Sequence, residues 1–325
     1  LHLDDESHAI AKDELDPGVA DMSGREEEEG LDAGEGGFLG SFSSLLLAVL
    51  VVFLVLAGSA VLGQLVLLSG VASSLGVFYA EGDTPLGAAV NSLFFLLLAL
   101  VGAGLLLALT RRRRLDILHL MLAAAIFVSY WGIFEIYASI FVSGGEELYA
   151  LADALSLAVA SLTAFLVVRP LNLTLLSVLL LLYGVMAGPL FAAMLTPFSV
   201  IAVSVTLAAY DAYSVTRGPL KKFLETVSRQ PESSATRAEP LRGAVVHIGS
   251  LSLGMGDVLV YSMLSPVFLM TPSFSPARWL VCSTGLLLGF LNTLYMLRRR
   301  RFMPALPLPV AFSLSAYAVC YLLGL

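Results

Sequence analysis

Apolar stretches long enough to cross a lipid bilayer recur along this 325-residue chain and limit what it can fold into. The hydrocarbon core of a bilayer takes about 20 residues of helix. Laid along the sequence, that length predicts nine spans, at 42–68, 88–109, 115–142, 148–168, 171–192, 197–216, 249–268, 277–297 and 305–324. A backbone in lipid has no water to bond, so such segments cross as helices, which satisfy their amides internally. The expected fold is therefore all-α and polytopic. Composition agrees, with 58% hydrophobic and 13% charged residues against about a quarter charged in an ordinary soluble domain. It excludes a soluble enzyme, a disulfide scaffold and a basic nucleic-acid binder. The split between the fifth and sixth spans rests on Gly188, Pro189 and Pro197, because proline ends or kinks a helix. No internal repeat is visible.

The net charge of -7 hides a division: residues 1–40 hold 13 of the 25 acids and two of the 18 bases. Their runs, such as Arg25-Glu26-Glu27-Glu28-Glu29, offer too little apolar surface to offset ordering entropy, so 1–40 reads as an acidic disordered tail. The tail lacks the make-up of a signal peptide, and the first span is expected to act as the targeting signal. The first methionine is Met22, and a start there would leave the preceding residues untranslated. Spans one to six then occupy 41–216, a cytoplasmic loop 217–248, and spans seven to nine 249–325.

Loops rich in Lys and Arg stay cytoplasmic. With the N-terminus inside, 17 of 18 bases share that side: Lys12, Arg25, Arg111 to Arg114, Arg169, the six from Arg217 to Arg242, and Arg298 to Arg301. Arg278 is the exception, and the outer loops carry Glu81, Asp83, Glu146 and Glu147. The expectation is nine transmembrane helices with a cytoplasmic N-terminus and an external C-terminus. Eight spans would strand Arg298 to Arg301 or the 217–242 loop on the wrong side.

An ionisable side chain inside a bilayer costs about 2.5 kcal/mol or more, so each needs a reason. Asp116 follows four arginines and reads as a surface ion partner. Glu135, near Trp131 and Tyr137, and Asp153, opening span four, can reach headgroups. Asp211 and Asp257 lie deeper, roughly 8 and 12 Å in from the same side at about 1.5 Å per residue. Consecutive spans are commonly neighbours, so these two carboxyls are expected to face each other. Two such groups at short range share one proton, one acting as base and the other as acid. That is aspartyl-protease chemistry, although a proton or cation relay uses the same residues and position alone does not separate the two. In Gly254-Met255-Gly256-Asp257, positions without a Cβ would let a neighbouring backbone approach the carboxylate.

Cys282 and Cys320 read as buried small hydrophobes rather than a disulfide or metal pair. His2, His8, His119 and His247 are scattered without an H-E-x-x-H string, so no metal is expected, and His247 reads as lining the entry to span seven. No G-x-S-G is followed by a histidine in a later span, which argues against a serine protease.

Four motifs remain: Tyr210-Asp211; Gly218-Pro219-Leu220-Lys221 with Glu225-Thr226; Gly254-Met255-Gly256-Asp257 with Tyr261-Ser262; and Pro304-Ala305-Leu306. In their order and spacing the chain resembles the presenilin family of GxGD intramembrane aspartyl proteases, from about residue 184 onward. The first five spans match mainly in number and orientation. Met255 stands where animal presenilins usually carry Leu. The loop between the Asp spans lacks the long segment in which animal presenilins cut themselves, as in archaeal-type, single-chain homologues. Signal peptide peptidases share these motifs but sit inverted, and the basic residues choose the presenilin orientation.

The resemblance implies that Asp211 and Asp257 are catalytic, that Tyr210, Gly254, Met255 and Gly256 shape the site, and that Pro304, Ala305 and Leu306 help hold substrate. It implies an endopeptidase cutting transmembrane helices of single-span proteins, with no cofactor, no metal, no nucleic acid and no required accessory subunit. The expected location is the cell membrane of a prokaryote, as a multi-pass protein. Pro304, Pro307 and Pro309 supply no amide hydrogens, which predicts an irregular stretch before the last helix. The Gly243 to Gly249 stretch offers either an extended edge for substrate or an interfacial linker. The alternatives from other classes are a cation leak channel or transporter using the same acids, and a non-catalytic scaffold. A transporter is expected to show discontinuous helices in two matching halves, which this sequence does not.

Overall fold

The computed structural model describes residues 23–71, 83–112, 114–142, 145–218, 242–248, 251–297 and 303–324. Residues 1–22 of the expected tail and 219–241 of the expected loop lie outside the described residues. The chain divides into two units, 1–45 and 46–325. In the first, the described element is the beginning of helix α1, Ser23–Ser69. The helix thus starts ahead of the predicted first span and includes residues 23–40, expected to be disordered. Glu, frequent in this stretch, is a good helix former, as are Leu and Ala.

The second unit continues through α2 (Pro85–Arg111), α3 (Leu115–Phe141), α4 (Glu146–Val168), α5 (Leu173–Met194) and α6 (Pro197–Thr216). A hairpin of β1 (Val245–Ile248) and β2 (Leu251–Gly254) follows, then α7 (Met255–Met270), α8 (Pro276–Leu297) and α9 (Pro307–Leu322). Seven of these nine described helices are long and apolar enough to cross a membrane. The other two, α7 and α9, have 16 residues each, about 24 Å of helix against a core of about 30 Å. Each is preceded by a non-helical segment, the hairpin and residues 303–306.

The hairpin corrects two expectations. The fold is helical but not purely so, and the helix predicted from residue 249 begins at Met255. Val245 pairs with Gly254 and Ile248 with Leu251, antiparallel, in a segment whose Val245, Val246 and Ile248 favour extended backbone. The Met255 amide donates to the Ala244 carbonyl at 2.9 Å, so the ladder runs directly into the first residue of α7.

Most other boundaries follow from local chemistry. Thr84, Asn172 and Thr196 accept hydrogen bonds from backbone amides of the first turns of α2, α5 and α6, with Pro85 and Pro197 opening two of these helices. Thr196 and Pro197, not Gly188 and Pro189, separate α5 from α6. Pro189 is buried inside α5, where neighbouring helices support an interrupted ladder.

Large apolar side chains such as Leu97, Leu98, Val101, Leu151 and Leu155 are exposed, as a lipid-facing surface requires. Inside, α5 and α7 approach closely at two glycines one turn apart. A Cβ on Gly188 would lie 2.2 Å from the Cβ of Ser262 and 2.6 Å from its carbonyl carbon; one on Gly184 would lie 2.5 Å from Cγ1 of Val258. Such small residues let helices pack backbone to backbone. From α3, the Tyr130 and Tyr137 hydroxyls donate to the carbonyls of Leu179 and Met186 in α5 at 3.1 and 2.9 Å. Across the bundle, Ser265 of α7 donates to the Leu56 carbonyl at 2.6 Å and accepts from the Trp279 indole at 2.8 Å. Arg278, the base that broke the charge asymmetry, is fully buried. Its Nε donates to the Phe268 carbonyl at 2.9 Å and its Nη2 to those of Leu269 and Ser273. It therefore caps carbonyls that the C-terminus of α7 leaves without helical partners.

The α5–α7 contact makes an expected outcome. Gly188→Ala should destabilise the fold by about 1–3 kcal/mol, the usual range for overpacking, and lower the melting temperature in detergent. Gly132→Ala, where a Cβ meets nothing within 4 Å, should melt no lower than wild type.

Candidate active site

Asp211 lies in the C-terminal part of α6, and Asp257 is the third residue of α7. Asp257 was expected some eight residues into a long helix; it sits instead at a helix N-terminus that the hairpin sets in place. A side chain at this third position can reach back to the amide before the first turn. The Gly254 amide donates to Oδ2 of Asp257 at 3.2 Å. Asp211 is served from α9: the Leu306 amide donates to its Oδ2 at 3.1 Å, and the Ala305 amide also turns to it. The two carboxylates lie within electrostatic reach of each other. Asp257 is buried and Asp211 half-buried. Residues 46 positions apart in the sequence thus form one acidic pair, with a backbone amide fixing each member.

The surrounding residues divide by role. A Cβ on Gly254 would lie 3.1 Å from Oδ2 of Asp257, tighter than ordinary contact, so the glycine leaves the carboxylate its place. At Gly256 a Cβ would meet nothing within 4 Å. The expectation that a neighbouring backbone approaches there is therefore corrected: the position faces open space. Met255 joins hairpin to helix and is half-buried. The Tyr210 hydroxyl is buried and has no hydrogen-bond partner among the described residues. Pro304 and Ala305 are half-buried and non-helical, and buried Leu306 opens α9, its carbonyl accepting from the Val310 amide at 3.1 Å. Gly289 of α8 seats this opening turn, since a Cβ on it would lie 2.6 Å from the Leu308 carbonyl oxygen.

Other polar residues take structural places. Glu135 accepts from the hydroxyls of Tyr149 and Ser156 at 2.9 and 3.1 Å, and Asp153 from the Trp131 indole at 3.0 Å, so both acids join α3 to α4. His247 lies on β1, its amide donating to Ser177 of α5 at 3.0 Å and its ring Nδ1 3.2 Å from the Ser252 hydroxyl. The Ser177 contact holds β1 against α5, and among the described strands β2 pairs with β1 alone. Cys282 and Cys320 are buried free thiols. Among the described residues no three His, Cys, Asp or Glu side chains converge as metal ligands would.

One residue at the site was not singled out for it. Tyr261, one helical turn after Asp257, is fully buried, and its hydroxyl donates to the Ala305 carbonyl at 3.5 Å. The i, i+4 spacing from Asp257 was the available signal.

No family model matches the chain, and no curated protein matches it. Solved structures do. A presenilin family intramembrane aspartate protease crystallised in space group C222 matches with a TM-score of 0.58 and 21% identity, over 85% of this chain and 99% of that one. A presenilin family intramembrane aspartate protease in space group P2 matches with a TM-score of 0.55 and 23% identity, over 83% and 96%. At these identities the likeness establishes a presenilin-like fold.

The link between Asp211 and Leu306 is directly measurable. A hydrogen bond to a charged acceptor contributes about 1.5–3 kcal/mol, so Asp211→Ala should speed hydrogen exchange at the Leu306 amide about tenfold or more. Asp211→Asn keeps an acceptor oxygen and should speed it less. Equal exchange in all three proteins would remove the link.

Proposed function

We propose that this chain is an intramembrane aspartyl endopeptidase of the GxGD type, with Asp211 and Asp257 as its catalytic pair. The observation that carries the reading is a pair of carboxylates from adjacent helices, within electrostatic reach and each tied to a backbone amide. With one proton between them, one carboxylate takes a proton from water as the oxygen attacks the scissile carbonyl, and the other protonates the carbonyl oxygen. Collapse of the tetrahedral intermediate then passes a proton to the leaving nitrogen, releasing an amine and a carboxylic acid. The bond cut lies in a transmembrane helix of a single-span protein. Because a helix hides its amides in internal bonds, the substrate must unwind locally. The open edge of β2 leads to Asp257 and can take an unwound strand by backbone pairing, while the space at Gly256 gives that strand room. Pro304, Ala305 and Leu306 form the opposite wall.

In this reading the chain crosses the membrane nine times, α7 and α9 completing their crossings with the non-helical segments before them. The N-terminus and the 217–248 loop are cytoplasmic and the C-terminus external, as the basic residues require. The protein then resides in a prokaryotic cell membrane and cuts without accessory subunits.

Purified protein incubated in detergent with a single-span substrate should yield fragments whose masses place the cut inside the span. Asp211→Asn and Asp257→Asn should each cut at no more than a few per cent of the wild-type rate, and the double variant no slower, since an amide cannot exchange the proton. Glu135→Gln and Asp153→Asn should remain active. Cleavage should follow a bell-shaped pH profile, failing at low pH when both carboxyls are protonated and at high pH when both are ionised. Substantial cutting by either asparagine variant would end the two-aspartate mechanism. Cation flux through reconstituted protein with no cleavage would favour a channel.

Sidedness has its own test. In a background lacking Cys282 and Cys320, Ser233→Cys should resist an impermeant thiol reagent in intact cells and react after lysis. Labelling before lysis would overturn the orientation.

A further inference from the structure

The proposed pair receives its amides from two chain segments that no covalent bond holds together: Gly254 at the start of α7, and Ala305 with Leu306 before α9. For the second set to stay on Asp211, residues 303–306 must be held against α7. Their backbone is non-helical, and Pro304 has no amide to contribute. A contact from α7 would add to the seat that Gly289 of α8 gives the following turn.

Tyr261 provides one. It follows Asp257 by four residues, so both side chains leave the same face of α7. The ring is completely buried, 0% exposed, which fixes where the hydroxyl can reach. That hydroxyl donates to the Ala305 carbonyl at 3.5 Å, the outer limit of a hydrogen bond. Both aspartates lie within electrostatic reach of the phenol. The connections run from Asp257 along α7 to Tyr261, across to Ala305, through one peptide to Leu306, and from its amide to Asp211. Catalytic hydrogen bonds are commonly long before substrate binds and tighten when it does. A long contact at this point suits a segment that must give way to admit a chain and then close on it.

We propose that Tyr261 is a positioning residue, whose hydroxyl holds residues 303–306 against α7 so that the Leu306 amide stays on Asp211. The role rests on the protease reading for its effect on turnover, but the coupling from Tyr261 to Leu306 does not. The phenol itself touches no reacting atom. Its loss acts through the segment, leaving the Ala305 carbonyl without this donor and letting the amides drift from Asp211.

The test compares wild type, Tyr261→Phe and protein carrying 3-fluorotyrosine at position 261, which keeps the donor and the ring shape. Tyr261→Phe should lower kcat at least tenfold with KM within twofold of wild type, and 3-fluorotyrosine should restore kcat. Hydrogen exchange at the Leu306 amide, read against that of Leu314 inside α9, should quicken at least threefold in Tyr261→Phe and return with 3-fluorotyrosine. The ratio separates positioning from loss of fold, because general destabilisation speeds both amides together. Wild-type kcat in Tyr261→Phe, or an unchanged Leu306-to-Leu314 ratio, overturns the proposal. If wild-type protein cuts no substrate, the protease reading fails on its own, and the exchange ratio still decides the coupling.

Discussion

Beneath a lipid surface each peptide N–H and C=O must find its partner inside the protein, because leaving one bare costs several kcal/mol. A continuous helix meets that demand everywhere except at its ends, where four amides and four carbonyls lack helical partners. Helices that end at the headgroups leave this to water. Here α7 and α9 are each about 24 Å long at 1.5 Å per residue, too short to reach both surfaces, so an end of each needs partners from the protein. The ladder of β1 and β2 carries backbone pairing up to Met255, and Asp257 then accepts from the Gly254 amide. At the start of α9 the Leu306 amide finds Asp211. At the far end of α7, Arg278 donates to the carbonyls of Phe268 and Leu269. The acidic pair is thus part of the way the chain satisfies two interrupted helices.

This arrangement needs rigid support, and glycine supplies it by absence. Gly184 and Gly188 bring α5 against the first two turns of α7, and Gly289 brings α8 against the first turn of α9. Both helix starts that hold the site are therefore seated on a neighbour with no side chain between them. Packing of this kind is stiff, because interiors at crystal-like density have little room to shift.

Much of this was legible in the sequence because hydropathy and motif spacing are local signals. Seven of the predicted spans coincide with long apolar helices, and Thr196 caps the helix start that Pro197 had suggested. Asp211 and Asp257 stood out because an acid in an apolar run is costly. What escaped depends on partners far away in the chain. Residues 249–254 are as apolar as a helix and were read as one; Val245 to Ile248, drawing them into a ladder, decide otherwise. Periodicity cannot separate a short apolar strand from a helix turn. Arg278 looked like an error of sidedness because a sequence does not show which carbonyls lie within reach. Glu135 and Asp153 looked like headgroup contacts for the same reason, although Tyr149, Ser156 and Trp131 bind them across two helices.

The same reasoning explains why each acid stands at or against the start of an interrupted helix. In mid-helix an aspartate finds its neighbouring amides already committed to carbonyls, so no backbone donor is free to fix it. At the third residue of α7, the amide before the first turn remains available. Opposite the 303–306 segment, amides not committed to a helix can face Asp211. Breaking two helices therefore frees the amides that orient the carboxylates. A straight nine-helix bundle of the same composition would be the simpler membrane protein, but its acids would have no free amides to orient them.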